Sequence, residues 1–291
     1  MKVLVFGEIG QVGQELQRAA QNSAGALTLE VRGLEEADFT KPESCARFAR
    51  ETDADVVINA VAYTAVDKAE EQEDLALMIN GTTPGVIARV CAERGLPLVQ
   101  ISTDYVFDGS GTAAFACDHP TGPLGAYGRT KLVGEEEVRA AGGTHAIFRT
   151  SWVVSAHGTN FVKTMLRLGA ERDALTIVAD QIGGPTCAAA IADICLSAAR
   201  QLLDDPSKTG TYHLSGGPDV SWADFAREIF VQSATTCDVT DIPSSAYPTP
   251  AVRPLNSRMD NSTTETVFGI SRSDWRVGLH DILKDLGALK S

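Results

Sequence analysis

Lys2-Val3-Leu4-Val5-Phe6-Gly7-Glu8-Ile9-Gly10-Gln11-Val12-Gly13 opens the chain, and its reading decides the fold. Residues 2–6 are a short apolar, β-branched run closed by glycine, the pattern of a buried parallel strand. Gln14-Glu15-Leu16-Gln17-Arg18 then reads as helix. A strand, a glycine turn and a helix N-terminus in that order make a phosphate-binding turn. The glycines let the backbone approach a pyrophosphate, and the helix end offers unpaired N–H groups and a positive dipole. The spacing is G-x-x-G-x-x-G, a variant of the G-x-G-x-x-G dinucleotide fingerprint. A glycine triplet alone would also suit a tight turn; the strand directly before it favours nucleotide binding.

Working outward, Leu27 to Val31 reads as a second strand that reaches Glu30, about twenty positions past the glycines, where an acidic residue would hold a ribose 2′-hydroxyl. Arg32 follows closely, and a guanidinium suits a 2′-phosphate instead, so the coenzyme type stays open here. Pro42 to Glu51 reads as helix after Asp38-Phe39, and Asp55 to Ala60 as a third strand running into the loop Val61–Asp67. A helical region from Lys68 to Arg94 carries Asn80. Pro97 to Ile101 delivers Ser102-Thr103-Asp104 at its tip, and Thr144 to Arg149 delivers Thr150-Ser151-Trp152. Five strands alternating with helices predict a Rossmann-type doubly wound parallel α/β sheet. Residues 1–152 are expected to form this dinucleotide-binding domain. Residues 153–291 are expected to be mainly a smaller substrate-binding lobe, with about 174–203 returning to pack on the sheet. The proline-rich run 235–258 suits a substrate loop.

Between the fourth and fifth strands lies Tyr127-Gly128-Arg129-Thr130-Lys131. On a helix, Tyr127 and Lys131 share one face at i and i+4. A nearby ammonium favours the phenolate, so Lys131 is expected to lower the Tyr127 pKa and make the hydroxyl a usable acid or base. The spacing is common by chance and gains weight only from its neighbours.

The 291 residues carry a net charge of −13, which excludes the basic face of a nucleic-acid binder. The six cysteines are scattered without a Cys-x-x-Cys pair, and the five histidines form no metal spacing with them. No stretch reads as a signal peptide or membrane span, so a soluble, cytoplasmic protein is expected.

Several motifs together resemble one family. Gly7-x-x-Gly10-Gln11-Val12-Gly13, Ala62-Tyr63-Thr64-Ala65-Val66-Asp67-Lys68-Ala69-Glu70, Ser102-Thr103-Asp104-Tyr105-Val106-Phe107 and Tyr127-Gly128-Arg129-Thr130-Lys131 are similar to those of dTDP-4-dehydrorhamnose reductases, in the extended short-chain dehydrogenase/reductase superfamily. Arg149-Thr150-Ser151-Trp152, Asp180-Gln181 with Pro185-Thr186, and Arg253-Pro254 with Asn256-Ser257-Arg258 follow in the same order. The resemblance implies reduction of the C4 ketone of dTDP-4-dehydro-β-L-rhamnose by NADPH or NADH. It implies that Tyr127 protonates the C4 oxygen, that Lys131 holds the nicotinamide ribose, and that Thr103 hydrogen-bonds the same oxygen. Gly7, Gly10, Gln11, Val12, Gly13, Glu30, Asp38, Phe39, Ala62, Tyr63 and Thr64 take coenzyme-contacting positions. Asp104 and Trp152 take sugar-contacting positions, and Arg258 is the candidate for the diphosphate.

Two departures stand out. Cys117-Asp118-His119 occupies a stretch where the family usually carries a Glu and an Asp. Members that dimerise around a shared Mg2+ use a carboxylate in the helix after the Pro-Thr pair, and here that helix begins Cys187-Ala188-Ala189-Ala190. Glu15 would lack that partner, so no metal site is expected, and any homodimer would not be metal-bridged in the family manner. Rival readings are a nucleotide-sugar epimerase or 4,6-dehydratase, and a regulatory subunit keeping only the fold. The absence of a Glu beside Thr103-Asp104 argues against the dehydratase, and the retained Tyr127/Lys131 pair against the regulatory subunit.

Overall fold

The computed structural model describes residues 1–290. Its centre is a six-stranded, all-parallel sheet built from β1 (Lys2–Phe6), β2 (Thr28–Arg32), β3 (Val56–Asn59), β4 (Leu98–Thr103), β5 (His145–Thr150) and β6 (Gly210–Leu214), in the spatial order β6-β5-β4-β3-β1-β2. The chain leaves β1 for β2 on one side and then crosses to β3 on the other. That reversal of strand order opens a crevice at the carboxyl ends of β1 and β3, where such sheets bind ligands.

Helices cover both faces, as a sheet buried on both sides requires. On one face α1 (Gln11–Asn22) packs with α6 (Ala188–Asp204) over Val3, Val5, Ile58, Val99 and Phe148. On the other, α2 (Pro42–Glu51), α3 (Thr83–Arg94) and α4 (Ala126–Ala140) cover Leu4, Phe6, Val57, Leu98 and Ile147. The remaining core gathers α5 (Phe161–Glu171), α7 (Trp222–Ser233) and α8 (Trp275–Asp285) around Phe225, Ile229 and Leu279. Ala174–Val178 pairs with Asp238–Ile242 in a separate two-stranded sheet, whereas α6 lies on the main one.

Three local readings differ from the sequence expectation. The second strand runs on to Arg32, so Glu30 sits inside it. The helix expected over 68–94 breaks into Val66–Ala69, Glu73–Leu77, a π-helical turn Met78–Thr82, and α3. Glu73–Arg94 is also long and apolar enough, by length and composition, to span a membrane, contrary to the expectation of no such stretch. Over half of that window is buried in the fold, as the apolar helix of a packed core is. Strand β6 and helix α7 were not foreseen at all.

Candidate active site

The coenzyme cradle begins where β1 ends. Gly7 has φ +110°, a conformation costly for any residue with a Cβ, and its N–H donates to the Arg32 carbonyl at 3.0 Å. A Cβ on Gly13 would fall 1.7 Å from the Gly7 carbonyl oxygen, so its absence lets α1 press directly onto the turn. Gly10 is the residue before α1, and a Cβ there would meet nothing within 4 Å. No side chain caps this helix, so its first N–H groups have no side-chain acceptor at the cap position. These are the requirements of a pyrophosphate site, and the residues fit a dinucleotide.

Gln11 and Val12 turn their side chains inward. Gln11 Oε1 accepts from Ser155 Oγ at 2.8 Å and Asn160 Nδ2 at 2.9 Å, and Val12 is in the core. Phe39 packs edge-to-face on Phe6, and Asp38 is held by Thr40 and Lys41, whose hydrogen bonds lower its carboxyl to about 2. Glu30 accepts from Arg32 at 2.6 Å and from Thr52 Oγ1 at 2.7 Å. Ala62, Tyr63 and Thr64 lie on the loop after β3. Buried Asn80 fixes that loop, accepting from Tyr63 N–H at 2.8 Å and donating to Thr130 Oγ1 at 3.2 Å. The π-helical turn carries Asn80 into this position.

Thr103 ends β4, and α4 begins at Ala126 after Glu70 accepts its N–H at 2.8 Å. A Cβ on Gly128 would lie 2.2 Å from the Tyr105 carbonyl, so glycine there lets α4 close against the turn after β4. Tyr127 thereby faces Thr103 and packs edge-to-face on Tyr105, with centroids 5.4 Å apart. Its pKa is raised to about 12, by burial and by the Asp104 charge, with the Thr103 hydroxyl opposing. This corrects the expectation of a lowered phenol. The reason is geometric: Lys131 is buried and donates to the Ile101 carbonyl at 2.6 Å. Burial in turn lowers the Lys131 ammonium to about 8, with Glu135 opposing.

Asp104 is also buried. Thr103 Oγ1 donates to its Oδ1 at 3.0 Å, while Oδ2 has no partner, and desolvation raises its carboxyl to about 6. Beneath this group, Glu135 accepts from Ser102 at 2.6 Å and from two Arg149 nitrogens at 2.9 and 2.7 Å, locking β4, β5 and α4 together. The arrangement is a protonated phenol and a hydroxyl converging beside a dinucleotide cradle, suited to delivering a proton to a carbonyl oxygen as hydride reaches its carbon.

The family model described as RmlD substrate binding domain matches residues 1–288. The dTDP-4-dehydrorhamnose reductase of Salmonella typhimurium is 41% identical over 98% of both chains. The chain belongs to the dTDP-4-dehydrorhamnose reductase family. A crystal structure of the family from Clostridium acetobutylicum superimposes with a TM-score of 0.91 at 36% identity, covering 99% of this chain and 100% of that one. The Bacillus anthracis reductase, solved in complex with NADP, gives 0.89 at 32%, covering 98% and 99%.

Trp152 adopts φ +49° and stacks on Trp222, ring centroids 3.6 Å apart. Trp222, held by Gln181 at 3.2 Å, was missed in the sequence because α7 itself was missed. Arg258 donates to the Asn256 side-chain oxygen at 3.0 Å. Arg253 and the Ala251 N–H both bind Asp67, tying the proline-rich loop to the loop after β3. Glu15 is taken up by Arg18 at 2.8 Å and His157 at 3.3 Å, and no cluster able to hold a metal occurs among the described residues. These partners do not fit Mg2+ at Glu15.

Proposed function

We propose that this chain reduces the C4 ketone of dTDP-4-dehydro-β-L-rhamnose to dTDP-L-rhamnose with NADPH or NADH, the last step of dTDP-L-rhamnose synthesis. The observation that carries the reading is the protonated Tyr127 phenol facing Thr103 at the carboxyl end of β4, beside the Gly7–Gly13 cradle.

The glycine turn and the α1 N-terminus hold the coenzyme diphosphate, with the loop Ala62–Thr64 along its side. Bound there, the reduced nicotinamide supplies a hydride to C4. Tyr127 donates its proton to the C4 oxygen, and a phenol held well above neutral pH is in the required acid form. Thr103 turns its hydroxyl toward the same oxygen and shares the developing charge. Lys131 positions the nicotinamide ribose. Asp104 orients Thr103 and meets the sugar, Trp152 forms its wall, and Arg258 binds the diphosphate of the nucleotide. Residues 1–152 and the returning elements α6 and β6 serve the coenzyme, while the rest of 153–291 serves the sugar nucleotide. We place the protein in the cytoplasm, where nucleotide sugars and reduced coenzymes are made.

The test is oxidation of the reduced coenzyme in the presence of enzymatically prepared dTDP-4-dehydrorhamnose, with dTDP-rhamnose identified as product. Absence of turnover with either coenzyme would remove the reading.

A further inference from the structure

We propose that Trp222 is a positioning residue of the sugar site: it holds the Trp152 indole in the orientation that walls the sugar, and Gln181 holds Trp222 in turn. This rests on the reading of Trp152 as that wall. It also gives the Asp180-Gln181 motif a task that the reaction itself does not assign.

The backbone of Trp152 needs support from outside. Its φ of +49° lies in the left-handed region, which a residue with a Cβ keeps only where its surroundings over-determine it. Two contacts do so. Trp222 stacks on its ring, with centroids 3.6 Å apart and planes 11° from parallel. Gly183 lets the same indole approach its backbone closely, since a Cβ there would fall 3.1 and 3.2 Å from Trp152 Cε2 and Cζ2. Packing the lobe does not by itself require this stack. Phe225 and Trp275 are buried at the centre of that core, whereas Trp222 is only partly buried at its margin and Trp152 is likewise part-exposed.

Trp222 is itself fixed. It is the first residue of α7, whose N-cap Ser221 accepts the Asp224 N–H at 3.0 Å. Phe161 packs on its ring at a centroid distance of 4.6 Å, and its Nε1–H donates to Gln181 Oε1 at 3.2 Å. Gln181 Nε2 donates to Ser244 Oγ at 3.0 Å. Ser244 donates to the Asp180 carboxylate through its N–H at 2.9 Å and its hydroxyl at 2.6 Å. Ser244 belongs to the proline-rich run 235–258, so a chain of contacts joins that run to Trp152. An indole held in this way loses little freedom when a sugar arrives, which favours binding.

The experiment is calorimetric binding of dTDP-L-rhamnose and of dTDP, which lacks the sugar, to the full chain. Trp222→Ala is expected to weaken dTDP-L-rhamnose about tenfold while leaving dTDP within about twofold. Trp222→Phe keeps a stacking face and should recover most of the loss. Gln181→Leu keeps both rings and is expected to lose about threefold, again with the sugar nucleotide alone. In turnover, Trp222→Ala should raise the KM for the sugar nucleotide and leave that for the coenzyme unchanged. Equal weakening of both ligands would make Trp222 a support of the lobe only and overturn the proposal. So would a loss that Trp222→Phe does not recover. No loss in Trp222→Ala, beside a selective loss in Trp152→Ala, overturns the proposal and leaves the wall reading standing. No selective loss in Trp152→Ala removes both.

Discussion

The Lys131 ammonium donates to the Ile101 carbonyl at 2.6 Å, one helical turn along α4 from Tyr127. The amine is thus anchored on β4, and burial lowers it to about 8 while the phenol stands at about 12. The charged amine is therefore lost first as pH rises. The alkaline limb of kcat/KM is expected to fall with one ionisation near the Lys131 value, far below that of Tyr127. Lys131→Met should lower activity and remove that limb. A profile level to about pH 10 would separate Lys131 from the chemistry.

Tyr127→Phe removes the proton donor and little else, since the ring keeps its contact with Tyr105. Turnover is expected to drop by roughly 10²- to 10⁴-fold with coenzyme binding and melting temperature close to wild type. Single-turnover kinetics would locate the loss in the chemical step. Undiminished turnover would mean that another group supplies the proton.

Glu135 is buried between Ser102 and Arg149. Burial pushes its carboxyl up, but Arg149 outweighs this and holds it below the usual carboxylate range. A depressed carboxyl contributes stability that is complete above its unfolded pKa and is lost as pH falls through the folded one. Glu135→Ala strands the Arg149 charge and is expected to cost roughly 3–5 kcal/mol. Urea melts at neutral pH measure the loss, and melts on the acid side should show a shallower decline in the variant.

Gly10 and Gly13 differ in what surrounds them. Gly13→Ala puts a methyl into the Gly7 carbonyl and should destabilise the fold, whereas Gly10→Ala enters open space. Gly10→Ala is expected to melt like wild type and yet bind reduced coenzyme more weakly, by about tenfold or more, because its methyl points where a diphosphate would lie. Fluorescence titration of NADPH decides it.

The Asp67–Arg253 pair, 2.8 Å apart and partly exposed, ties the loop 247–258 to the loop that follows β3. Such a pair contributes about 1 kcal/mol at most. Arg253→Ala is expected to raise the KM for the sugar nucleotide about fivefold with coenzyme affinity unchanged. Steady-state kinetics with each substrate varied in turn would show the split.

The parts written locally were legible. Lys2–Phe6 and Pro42–Glu51 follow from an apolar run and a proline at a first turn, and their bounds agree with the sequence reading. The spacing of Tyr127 and Lys131 put them on one face if the segment is helical, and α4 carries both. What escaped depended on distant partners. Gly210–Leu214, with Thr211, Tyr212 and His213, lacks a continuous apolar run and becomes a strand by pairing with β5, where Tyr212 packs edge-on to Phe268. The direction of the Lys131 amine depends on a carbonyl thirty residues earlier. Asn80 was visible as a residue, but the π-helical turn that aims it was not, because no spacing encodes one extra residue in a helix.

Strand β6 reaches the edge of β5 only after the chain has travelled about sixty residues away and returned. On the ribosome, at roughly 5–20 residues per second, that edge stays open for several seconds while the sheet's other five strands are already made. An unpaired edge over a hydrophobic face invites strand addition from another nascent chain. The final strand is thus a closing seam, and truncation anywhere before residue 214 would leave an aggregation-prone fragment instead of a free-standing coenzyme domain.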